Sequence, residues 1–338
     1  MAIQDDKGHF LKAVFIKRTA VGFCIGFLMG IGAVHLFMYR DNSAALVTGI
    51  LRPIQLGREG LVNQLLAYAV PENVKELKSL KEKLQKEIDE EKSRGFLVDA
   101  GIYFRDLDSA WWSGINETEK FSPASLLKVP LMISYYKLTD SDSHILNRRL
   151  TYDGSFDDNE LENIKPLKSI RAGNSYTIDE LIKYMIAYSD NNATHLLYDA
   201  LPRDAFAKTY TDLGLSVPSS TDDFLGPRSY SLFFRILYNV TYLKKDMSQK
   251  ALEELSQLDF PQGLSSGIPE DVKIVQKFGE HQFSNGVEEL HDCGIVYHLR
   301  HPYFLCVMTK GHDFGKLSGI IRNVSKIVYK EVDSDYKN

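Results

Sequence analysis

Two groups of strand-like segments stand at opposite ends of a long helical stretch, and this layout leaves few architectures open. Near the front, residues 96–104 and 109–113 read as strands around the turn Arg105-Asp106-Leu107-Asp108. Toward the end, residues 272–277, 289–299 and 303–310 read as three more, the last two joined across Arg300-His301-Pro302. Short strand-to-strand connections make antiparallel neighbours, because a parallel pair needs a long crossover. The expectation is therefore one antiparallel five-stranded sheet made from both ends of the segment.

Helical periodicity fills the rest. Val74, Leu77, Leu80, Leu84 and Ile88 form one apolar stripe over residues 74–92, and Leu317, Ile320, Ile321 and Val324 form another over 314–331. Thr177-Ile178-Asp179-Glu180 has capping-box form and opens a helix running to Tyr188. Further helices are expected from Asn192 to Leu201 and at 204–213, 229–243 and 249–258, while 139–176 reads as polar and irregular apart from a short strand at 149–152. The fold class that follows is α/β in the broad sense (α+β). A five-stranded antiparallel sheet is flanked by N- and C-terminal helices, and an all-helical lobe is inserted.

The N-terminal part has its own logic. Ala20 to Met38 is nineteen residues without a formal charge, preceded by Lys7, Lys12, Lys17 and Arg18. Such a run is long enough to cross a bilayer as a helix, and the basic flank places the N-terminus on the cytoplasmic side. A cleaved signal peptide is the alternative. The expected organisation is a cytoplasmic tail at 1–19, a single-pass transmembrane anchor at 20–39, a juxtamembrane segment at 40–72 and a globular domain at 73–333. That domain would be extracytoplasmic at a cell membrane.

Composition removes several function classes. With 40 Lys and Arg against 45 Asp and Glu, the net charge of −5 does not suit nucleic-acid binding. Three cysteines without Cys-x-x-Cys, and nine histidines without His-x-x-x-His, give no metal-ligand pattern, so neither metal nor cofactor is expected. Cys293 and Cys306 fall on the two sides of the last hairpin, either as a buried pair of thiols or as a cross-strand disulfide.

Chemistry concentrates in three short elements. Ser125-Leu126-Leu127-Lys128 opens the apolar run Val129 to Leu138, and helical spacing brings the Lys128 amine within reach of the Ser125 hydroxyl. A serine needs such a base to act as a nucleophile, and burial makes a lysine neutral enough to serve. Ser189-Asp190-Asn191 follows at the junction of two helices, and Lys277-Phe278-Gly279 at the end of a strand. In this order and context the three resemble the signature elements of the penicillin-recognising serine enzymes. Across 73–331 the chain looks like a class A β-lactamase-type domain, and Ser175 to Leu197 is especially similar.

The resemblance implies roles. Ser125 would become acylated, Lys128 would accept or relay its proton, and Ser189 would pass a proton to the leaving nitrogen. Asn191 would hold Lys128 or a substrate amide, and Lys277 would supply positive charge. Gly279 and Glu280 would border the substrate, with the backbone N–H groups of Ser125 and Glu280 as the oxyanion hole. Two departures stand out. Phe278 replaces a hydroxyl residue that helps hold a substrate carboxylate. The interval from Asn192 to Pro227, where the family carries a deacylating glutamate, has only Asp199, Asp204, Asp212, Asp222 and Asp223. The implied function is a membrane-anchored serine hydrolase forming an acyl-enzyme on a β-lactam amide or a D-Ala-D-Ala-type peptide of peptidoglycan. An amidase or esterase of the same fold, or a decayed wall-binding module, are the alternatives.

Overall fold

The structure is a computed structural model that describes residues 58–59, 61–63, 75–160, 162–218 and 224–336. The expected membrane span at 20–39 lies outside the described residues. Among those described, no helix is long and apolar enough to cross a membrane.

Strands β1 (Arg58–Glu59) and β2 (Val62–Asn63) form a small ladder ahead of helix α1 (Lys78–Ser93). Then come β3 (Leu97–Asp106) and β4 (Trp112–Ile115), helix α2 (Lys128–Leu138), and a second small ladder of β5 (Arg149–Tyr152) with β6 (Asn174–Thr177). Helices α3 (Ile178–Ala187), α4 (Asn191–Ala200), α5 (Ala205–Asp212), α6 (Pro227–Tyr238) and α7 (Lys245–Leu255) follow. Strands β7 (Ile274–Gln282), β8 (Glu288–Val296) and β9 (Tyr303–Gly311) and helix α8 (Phe314–Asp333) complete the chain. The five-stranded antiparallel sheet has the order β4-β3-β9-β8-β7, so the last strand in sequence, β9, sits at its centre.

The two sheet faces are covered differently. Leu80, Leu84 and Ile88 of α1 and Leu317, Ile321 and Val324 of α8 pack with Ile102, Phe104, Leu305 and Val307 into one core. Each such side chain contributes roughly 1.5–3 kcal/mol when fully buried. On the opposite face α6 lies against β9 and β3, with the Phe234 and Phe304 rings 5.4 Å apart. The α3 helix carries the expected capping box, the Thr177 hydroxyl accepting from the Glu180 N–H and the Glu180 carboxylate from the Thr177 N–H.

Several boundaries move for local reasons. β3 runs on to Asp106, whose carboxylate accepts the N–H groups of Asp108 and Ser109 at 2.9 and 2.6 Å and so shifts the turn downstream. The irregular stretch after α2 contains β6, which pairs with β5 although residues 174–177 are too polar to announce a strand. β7 continues to Gln282, which puts Lys277-Phe278-Gly279 inside the strand rather than at its end. Contacts also reach outside 73–333. The Leu61 N–H donates to Gln249 Oε1 at 2.8 Å, and the Tyr336 hydroxyl donates to Asp106 Oδ2 at 2.6 Å.

Cys293 and Cys306 face each other in register on β8 and β9, with Cα atoms 3.9 Å apart, and form a disulfide. Lys277 is the next residue in that row, opposite Cys293 on β7.

Candidate active site

Ser125 lies in a single 3₁₀ turn, Ala124–Leu127, and α2 begins only at Lys128. The turn is held by the Leu126 N–H donating to Pro123 O at 2.9 Å and by the Tyr230 hydroxyl donating to Leu126 O at 3.0 Å. Upstream, the backbone of Ser122 is pinned from the sheet. Its N–H donates to Glu289 Oε2 at 3.0 Å, and its carbonyl lies 2.9 Å from His291 Nε2. Because the Thr309 N–H donates to His291 Nδ1, the ring proton belongs on Nε2, facing Ser122. Glu289 and His291 are wholly buried neighbours on one face of β8.

The second element arrives at a strained corner. Ser189 links α3 to α4 with a left-handed backbone, φ 56°, and Ala124 beside Ser125 has φ 46°. A non-glycine residue in that region costs about 1–3 kcal/mol, which the surroundings must supply. Here Asp190 does much of the fixing. It is fully buried and caps α4 through the Asn192 N–H at 3.0 Å. It also accepts from Asn159 Nδ2 at 2.8 Å and from the Ile170 N–H at 2.8 Å. The loop segments that carry Asn159 and Ile170 are thereby stapled to the Ser189 corner.

The hydroxyl of Ser189 is the hub of the site. It lies 3.4 Å from Ser125 Oγ, 3.1 Å from Lys128 Nζ and 2.9 Å from Lys277 Nζ. Lys128 Nζ also donates to Ser189 O at 2.7 Å and to Asn191 Oδ1 at 2.5 Å. Helical spacing leads one to expect a direct Ser125–Lys128 bond. Among the described residues the serine's partner is instead Ser189, because the amine is drawn to the Ser189–Asn191 corner. Burial and neighbouring charge act on both amines. Burial pushes Lys128 down to about 8, against the opposing pull of Glu162, Asp190 and Glu280. Burial and then the charge of Lys128 drive Lys277 well below the usual lysine range. Two amines meeting on one hydroxyl favour a state in which one is neutral.

Gly279 sets the closeness of β7 to the Ser125 turn. A Cβ there would fall 2.8 Å from Pro123 O and 3.2 Å from both Ser125 N and Leu126 N. The Phe278 ring is buried, stacked on Phe260 with centroids 4.2 Å apart, and lies under the Lys277 amine, whose Nζ is 4.3 Å from the ring centroid. It replaces a hydroxyl with an aromatic face against a site amine and does not line the cleft.

A cleft of about 910 Å³ opens over this network, lined by Ser125, Lys128, Glu162, Asn191, His195 and Glu280 among others. Glu162 comes from the stapled loop and accepts from Asn191 Nδ2, so a carboxylate stands beside the site that sequence reading passed over as part of an irregular segment. Glu280 is the other side chain that reading undervalued, since only its backbone N–H was considered. Its Oε1 accepts the Ile164 N–H at 2.6 Å, tying β7 to the same loop. Of the acids weighed for deacylation, Asp199 pairs with His195 and Asp212 with Lys208, while Asp222 and Asp223 lie outside the described residues. Among the described residues no cluster of ligating side chains suits a metal ion.

A sheet lobe and a helical lobe with a serine, two lysines and a second serine between them define the architecture of the serine-acylating β-lactamases and penicillin-binding proteins. The chain belongs to the β-lactamase enzyme family, whose model matches residues 79–332, and is a serine hydrolase of that type. Among solved structures, PBP-A is similar with 23% identity and a TM-score of 0.65, over 77% of this chain and 98% of that one. A point mutant of PBP-A, solved as an acyl-enzyme complex with penicillin G, gives 22% identity and a TM-score of 0.66 over the same shares. A β-lactamase from Xanthomonas campestris pv. campestris gives 20% identity and a TM-score of 0.64 over 77% of this chain and 100% of that one. No curated protein sequence matches.

Proposed function

We propose that the protein is a membrane-anchored serine hydrolase in which Ser125 attacks the carbonyl of a β-lactam amide or a D-Ala-D-Ala-type peptide and forms an acyl-enzyme. The observation that carries this reading is the convergence of Ser125, Lys128 and Lys277 on the Ser189 hydroxyl, within 3.4, 3.1 and 2.9 Å. A neutral amine takes the Ser125 proton, either directly or through Ser189, as the serine oxygen bonds to the carbonyl carbon. Ser189 then returns a proton to the leaving nitrogen, and the remaining positive charge favours the developing oxyanion. Asn191 holds Lys128 in place. The backbone N–H groups of Ser125 and Glu280 serve as the oxyanion hole, and Gly279 lets strand and turn come close enough to form it.

In this reading residues 20–39 anchor the chain in the cell membrane, with the domain from residue 73 outside the cytoplasm. Slow deacylation is expected, because the acids that share the cleft with Ser125 are engaged elsewhere, Asp199 with His195 and Glu162 with the Asn191 amide. Intact-protein mass spectrometry after exposure to a penicillin tests the mechanism. One adduct per chain that disappears in Ser125→Ala is expected. An adduct that survives that substitution, or no adduct on the wild type, overturns it.

A further inference from the structure

Glu162 and Glu280 meet across the cleft, one from the stapled loop and the other from the edge strand β7. Glu162 Oε1 takes the Asn191 amide and Glu280 Oε1 takes the Ile164 N–H. Glu280 is only 7% exposed, and its second oxygen is buried with no hydrogen-bond partner. The group against it is the Glu162 carboxyl, with which it shares a side-chain hydrogen bond when one of the two is protonated. Burial first, then this neighbour, push Glu280 up to about 7, while the N–H groups of Ile164 and Asn163 pull the other way. The nearby cations do not fill the gap. Lys128 is committed to Ser189 and Asn191, and Lys277 to Ser189 and the Phe278 carbonyl. Two carboxyls facing each other without a donor hold either a proton or a cation.

We propose that the Glu162–Glu280 pair is a recognition subsite for an ammonium group, so that the preferred substrate is an acyl compound carrying a positively charged amino substituent near the carbonyl that Ser125 attacks. The pair and Ser125 line the same cleft, and both carboxyls are close enough to Lys128 to act on its charge. An ammonium has three donors. It offsets the negative charge at the partly exposed Glu162 carboxyl, behind which Glu280 is buried, whereas an uncharged substituent leaves that charge facing the cleft without a counter-ion. A substrate carboxylate at this end of the cleft is repelled.

The inference rests on the acyl-transfer reading of the cleft, and the test separates the two. Benzylpenicillin and α-aminobenzylpenicillin differ by one amino group on the acyl side. Their non-covalent binding to the Ser125→Ala protein is measured by calorimetry at a pH where the amino group is protonated. The amino compound is expected to bind about tenfold more tightly, the range of a partly buried charge pair. That ratio is expected to fall to about one in Glu162→Gln and in the Glu162→Gln/Glu280→Gln pair, each built on Ser125→Ala. Equal affinities before the glutamate changes, binding of neither compound, or an undiminished ratio after them overturns the subsite. Acylation of the wild type by benzylpenicillin, read by mass, reports separately on the chemistry of Ser125.

Discussion

Gly279→Ala is the most direct probe of how the sheet positions Ser125, the proposed nucleophile. The new methyl carbon would start 2.8 Å from Pro123 O, with Ser125 N and Leu126 N at 3.2 Å. All three are backbone atoms of a turn held by Tyr230 above and by Glu289 and His291 behind, so no flexible side chain absorbs the clash. Overpacking of this kind costs about 1–3 kcal/mol. At about 2 kcal/mol the melting temperature falls by roughly 4–8 °C for a domain of this size. The effect on acylation is expected to be larger than the effect on stability. Relief of the clash moves the Ser125 N–H away from β7, and loss of one oxyanion donor costs about 10²–10³ in rate. The assay pairs a thermal melt with the rate of penicillin adduct formation. Gly319→Ala is the control, because a Cβ there meets its nearest atom at 3.9 Å and helical alanine is favoured over glycine by about 1 kcal/mol. An unchanged acylation rate in Gly279→Ala, with melting like that of the control, refutes the close-approach argument.

Other substitutions test other parts. Ser189→Ala removes the hydroxyl shared by Ser125, Lys128 and Lys277 and should slow acylation by about 10²–10⁴-fold in stopped or quenched mass assays, with the fold intact by circular dichroism. Acylation should rise with pH from about 6 to about 9, because the base works neutral and burial lowers Lys128 to about 8; a flat or falling profile contradicts the amine as base. Asp190→Asn loses charge-assisted bonds to Asn159 and the Ile170 N–H, and should cost about 2–4 kcal/mol in denaturant melts while exposing residues 157–170 to limited proteolysis.

Much of the scaffold is visible in the sequence because its signals are local. The stripes of α1 and α8, the capping box of α3 and the turn residues between β8 and β9 each state an element without reference to the rest. The row Ser125, Lys128, Ser189, Asn191 and Lys277 is legible for a different reason, since three short elements in a fixed order carry it. What stays hidden depends on distant partners. β6 exists because β5 lies beside it, and Asn174 to Thr177 has no alternation of its own. The Lys128 amine turns to Ser189 and Asn191 because α4 begins there. Glu162 reaches the site only because Asp190 and Asn159 fasten its loop, bonds that no spacing rule anticipates. Glu289 and His291 did leave a trace, as ionisable residues two apart in a strand buried on both faces, where neighbours are normally apolar.

The central place of β9 has a consequence for the nascent chain. β3 emerges from the ribosome roughly 200 residues before the strand it must pair with. At about 5–20 residues per second that is a wait of roughly 10–40 s. Through it, the β3–β4 hairpin presents an unpaired edge that invites aggregation. A message truncated anywhere before residue 303 yields a product that never closes its sheet, so the segment carrying β9 decides whether the residues made before it survive quality control.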